Sequence, residues 1–64
     1  MKENRSEKRL KTFAEMYERN VEASPTHDLL AFHAAMRSAG LAEGERQVAK
    51  TLYADGTIRT LLTH

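Results

Sequence analysis

Sixty-four residues amount to one small domain or less than one. Ten Lys and Arg against nine Asp and Glu leave a net charge of +1, with 41% apolar residues and neither Cys nor Trp. The missing cysteines exclude a disulfide framework and a thiolate zinc site; no run approaches the ~18 apolar residues of a membrane span; and Met1–Lys11 lacks the apolar stretch of a secretory signal.

These features lead to the expectation of a cytoplasmic chain, 1–64, folding as a single domain, with residues 1–5 as a frayed basic arm. A domain of this size buries only about 60% of its unfolded surface. Cores below ~70–80 residues rarely supply more than about 3–5 kcal/mol. With disulfides excluded, oligomerisation is the common remaining device, which favours a homodimer or a chain completed by a protein partner.

The charge is unevenly spread. Residues 1–11 carry Lys2, Arg5, Lys8, Arg9 and Lys11 against Glu3 and Glu7, a net +3. Residues 12–45 carry Arg19 and Arg37 against Glu15, Glu18, Glu22, Asp28, Glu43 and Glu45, a net −4. Residues 46–64 carry Arg46, Lys50 and Arg59 against Asp55, a net +2. Basic ends attract nucleic acid or acidic partners; equally, they can be the solvated face of a helix start.

Leu10, Phe13, Ala14, Tyr17 and Val21 fall at helical spacing and predict an amphipathic helix over about 6–22. Ser6 is a candidate N-cap. Glu7–Lys11 and Glu15–Arg19 are i,i+4 pairs in the favourable order.

A second helix is predicted over about 25–39. Ser24-Pro25 is a cap followed by a residue that needs no N–H partner, and Gly40 stands where a left-handed C-terminal residue is wanted. Leu29, Phe32 and Met36 form its main stripe, with Leu30 and Ala34 to one side of it and Ala31, Ala35 and Ala39 to the other. A helix apolar over most of its circumference is buried on more than one side. Leu29, Phe32, Ala35, Met36 and Ala39 are therefore the candidate partner or dimer interface.

Residues 41–64 read two ways. Asp55-Gly56 between apolar-rich runs is a strong signal for a β-hairpin with a type I′ turn. Its register pairs Tyr53 with Ile58 and Thr51 with Thr60, both favoured cross-strand combinations. The alternative is a helix from about Glu43 to Ala54 ended by Gly56, then a short last helix. The hairpin reading is preferred, because Thr57, Ile58 and Thr60 are poor helix formers. The expected fold is thus α+β, with an all-α three- or four-helix bundle as the alternative.

Leu52-Tyr53-Ala54-Asp55-Gly56-Thr57-Ile58 resembles the hairpin of phage Cro repressors. Gln47-Val48-Ala49-Lys50-Thr51-Leu52 with Thr57-Ile58-Arg59-Thr60-Leu61-Leu62 resembles the helix-turn-helix of response-regulator effector domains, with a turn one residue shorter. The two likenesses imply incompatible structures for the same residues, and neither assigns the chain to a family.

Catalytic signals are lacking. No Ser stands in a nucleophile-elbow setting, no Gly-rich phosphate loop is present, and no cofactor motif appears. His27 and His33 lie about 240° apart on one helix, unlike the i,i+4 spacing of shared metal ligands. The expected function is a small non-enzymatic regulatory or inhibitory interaction module, without metal or cofactor, acting as a dimer or on a protein partner through the second helix. The alternative is a nucleic-acid-binding regulator that uses Arg5, Lys8, Arg9, Lys11, Arg46, Lys50 and Arg59.

Overall fold

A computed structural model describes residues 5–62. Three helices follow in order: α1 (Arg5–Ala23), α2 (Asp28–Ala39) and α3 (Glu43–Asp55). A 3-10 turn, Pro25–His27, leads into α2, and another, Ile58–Leu61, follows α3. No strand occurs among the described residues. The expected α+β fold with a C-terminal hairpin is therefore corrected to the all-α alternative.

The correction turns on Gly56. It adopts φ 73° and ψ 27° and caps α3. Its N–H donates to the Tyr53 carbonyl at 3.1 Å, and the Thr57 N–H donates to the Leu52 carbonyl at 2.9 Å. This pair of bonds is a Schellman motif, which satisfies carbonyls orphaned at a helix end. A type I′ turn needs positive φ at both central residues. Asp55 remains helical, and among the described residues only glycines have positive φ. Neither family likeness survives: 46–54 are one helix, and among the described residues only a 3-10 turn follows Gly56.

Gly40 ends α2 by the same device, at φ 67°. Its N–H reaches Arg37 O, and the Leu41 N–H reaches Met36 O at 3.3 Å. Leu41 and Met36 are both buried, supplying the hydrophobic contact that accompanies such caps. Only Leu41 and Ala42 separate this cap from α3, so the chain turns sharply and α3 packs back against α1 and α2.

The core forms where the apolar faces meet. Phe13 of α1 is fully buried and meets Phe32 of α2 edge-on at 5.7 Å between ring centres. Phe32 stacks on Tyr53 of α3 at 4.4 Å, while Tyr17 meets Tyr53 edge-on. Each such pair adds about 0.5–1.5 kcal/mol beyond the area it buries. Ala14, Ala35 and Ala49 are fully buried, one from each helix, and admit close backbone approach. Ile58, in the last turn, plugs the same core.

Several local expectations shift. Ser6 lies inside α1 rather than capping it, and its hydroxyl is drawn to Glu45. Ser24 precedes the 3-10 turn without a side-chain cap bond, so α2 proper starts at Asp28 rather than at Pro25. Among the described residues, the ion pairs formed are Arg9–Glu45, Arg46–Glu43 and Arg59–Glu18. Glu7–Lys11 and Glu15–Arg19 are not among them. Met1–Asn4, most of the expected basic arm, lie outside the described residues, whereas Arg5 opens α1.

Candidate functional site

The outer surface of α2 near its start is the main exposed apolar feature. Leu29 is 53% and Leu30 67% exposed. Two consecutive leucines on one helix point about 100° apart, so α2 can turn only part of its apolar circumference inward. Its inner side is filled by Ala31, Phe32, Ala35 and Met36, which leaves Leu29 and Leu30 to solvent.

Beside Leu30 lies an open groove of about 350 Å³ between the end of α1 and α2. Asn20, Ala23 and Ser24 line one side, and His27, Leu30, Ala31 and Ala34 the other. No formally charged side chain lines it. Three of its seven lining residues are alanines, and Leu30, which also lines it, is largely exposed.

The five residues expected at a partner interface divide. Leu29 is exposed. Phe32, Ala35 and Met36 lie in the chain's own core, and Ala39 is half-buried against it. The sequence places Leu30 and Ala34 beside the stripe but does not single them out for the interface, whereas both are exposed. The signal was present in the all-round apolarity of the helix, but not which side the chain would bury itself.

The seven expected basic residues divide as well. Arg9, Arg46 and Arg59 are engaged by Glu45, Glu43 and Glu18. Arg5, Lys8, Lys11 and Lys50 are exposed and form no ion pair among the described residues. The Arg59 and Arg9 guanidiniums are held above their ordinary range chiefly by the hydrogen bonds to those carboxylates.

Glu45 is the one buried charged residue described, at 7% exposure. Its Oε1 accepts from Arg9 Nε and from the Ala42 N–H, both at 2.8 Å. Its Oε2 accepts from Arg9 Nη2 at 2.5 Å and from the Ser6 hydroxyl at 2.6 Å. Arg9 first, then Ser6 and the Ala42 N–H, hold its carboxyl down to about 2. The bond to Ala42 is half a capping box: a glutamate at the third helical position reaches back, but alanine offers nothing in return. With four donors around it, this carboxylate ties α1 to the start of α3 and has no role open to it as a general base.

At the opposite end, the Tyr53 hydroxyl donates to Asp28 Oδ2 at 3.2 Å. Burial first, then this bond to a carboxylate, pushes the Tyr53 phenol up. Burial and the nearby Asp28 and Glu18 do the same to Tyr17. Among the described residues, no group of three or more His, Asp or Glu is placed to hold a metal ion. None of the described helices is long and apolar enough to cross a membrane.

No protein-family model, curated protein or solved structure matches this chain.

Proposed function

We propose that the chain is a small non-enzymatic interaction module, regulatory or inhibitory in role, that associates with a second copy of itself through the outer face of α2. The observation that carries this reading is Leu30, 67% exposed at a groove walled by Ala23, Ala31 and Ala34 and lined by no Asp, Glu, Lys or Arg. A two-fold dimer places one patch against its own copy, so the patch must hold both projection and recess. Leu30 supplies the projection and the alanine groove the recess. No Asp, Glu, Lys or Arg lines the groove, which limits the like-charge repulsion that a two-fold contact otherwise creates. The small size of the core supports the same reading, since domains of this length gain stability by oligomerising.

Sedimentation velocity over a concentration series tests it. The wild-type chain should shift from monomer to dimer as concentration rises. Leu30→Glu should remain monomeric with unchanged helical content. A wild-type monomer at every concentration, or a dimer that Leu30→Glu leaves intact, would refute the proposal.

A further inference from the structure

The outer face of α3 is a separate surface from the leucines of α2. Arg46, Gln47, Lys50 and Thr51 are all exposed there. Their spacing, two i,i+4 pairs, places them on one side of the helix, opposite the buried Glu45 and Ala49. Arg37 of α2 is exposed too, and it lines with Arg46 a groove of about 310 Å³ between the two helices. The fold brings the start of α1 to this same end, because Ser6 and Arg9 both bond Glu45. Arg5 and Lys8 therefore stand near the beginning of α3.

Among the described residues, the opposing charges at this end are Glu7, Glu43 and Glu45. Glu45 is buried and neutralised by Arg9. Glu43 pairs with Arg46 at 3.2 Å, but its side chain is 81% exposed, and exposed pairs of this kind contribute little and yield to competitors. Arg37 and Lys50 have no acidic partner among the described residues. Glu18, Glu22 and Asp28 lie toward the other end, where Glu18 pairs with Arg59 and Asp28 accepts from Tyr53; Asp55 closes α3 little more than one turn beyond Lys50. A chain of net charge +1 thus folds into a molecule with one basic end.

We infer that this basic end, centred on the outer face of α3, docks on the phosphate backbone of duplex DNA. Charge complementarity selects a polyanion. The helix selects its form, since an α-helix fits the major groove of a duplex. Gln47, between Arg46 and Lys50, is an exposed hydrogen-bonding group of the kind that contacts sugar, phosphate and base edges, whereas an acidic protein surface needs only the cations; the Thr51 hydroxyl beside Lys50 donates to the Gln47 carbonyl at 3.1 Å.

The test is binding of a mixed-sequence DNA duplex to the full chain across a salt series. If Lys8, Arg37, Arg46 and Lys50 meet about four phosphates, the logarithm of affinity falls against that of salt with a slope near about −3.6. A fourfold rise in salt then weakens binding by roughly 150-fold. The double variant Arg37→Gln/Lys50→Gln removes two exposed charges and should reduce the slope by about 2. Both side chains lie outside the core, so thermal unfolding should match wild type and separate lost contact from lost fold. No binding at low salt, a slope unchanged in the double variant, or equal retention of polyglutamate (which binds cations without a helical groove) would each overturn the inference.

Discussion

Glu45 concentrates more of the chain's specificity than any other polar residue. Its carboxyl is held at about 2, against an ordinary value of 4.5. A carboxylate with a depressed folded-state pKa contributes stability that is complete above the unfolded value and lost as pH falls through the folded one. The contribution should therefore decline between about 4.5 and about 2. Thermal unfolding followed by circular dichroism should show the wild-type midpoint falling across this window. Glu45→Gln should start lower at neutral pH and fall less steeply. Gly56 gives a second prediction at this scale. Its positive φ disfavours any side chain, while a Cβ built there meets nothing within 4 Å. Gly56→Ala should cost roughly 1–2 kcal/mol in urea unfolding through backbone conformation alone. Gly44, inside α3 and without positive φ, is equally uncrowded. Gly44→Ala should instead stabilise by about 0.5–1 kcal/mol.

At the scale of elements, α1 and α2 were legible because their apolar residues recur at helical spacing and Gly40 marks a stop. α3 was not, and the reason lies in two residues. Its inward stripe begins with Glu45, a charged residue where the pattern wants an apolar one, so the periodicity over Glu45, Ala49 and Leu52 looks weak. The burial of Glu45 depends on Arg9, 36 residues away, a pairing that local sequence does not announce. Asp-Gly is ambiguous as well, since a left-handed glycine serves both a hairpin turn and a helix end. The preceding residue decides between them, and Asp55 is helical. Secondary chemical shifts should be helical from 46 through 55; extended shifts on both sides of Gly56 would contradict the fold. Phe32, which joins all three helices by contact with Phe13, Tyr17 and Tyr53, is the side chain whose truncation the core can least absorb. Phe32→Ala should destabilise by about 3–5 kcal/mol in the same urea titration.

For the whole molecule, a core of few large side chains sits beneath a surface with two distinct regions. The leucine surface of α2 was half legible: the surplus of apolar residues was plain, but the chain uses Phe32, Ala35 and Met36 for itself and leaves Leu29 and Leu30 outside. The basic end was legible only as charge runs, because folding assigns Arg9 and Arg59 to carboxylates and adds Arg37 from a stretch that is acidic in sequence. Self-association through α2 is the central claim, and isotope-filtered NMR on a sample mixing labelled and unlabelled chains tests it most directly. The account predicts intermolecular contacts from the Leu29 and Leu30 methyls to Ala23 and Ala34 of the other copy. Intermolecular contacts confined to other surfaces, or none at concentrations where the chains are paired, would contradict it.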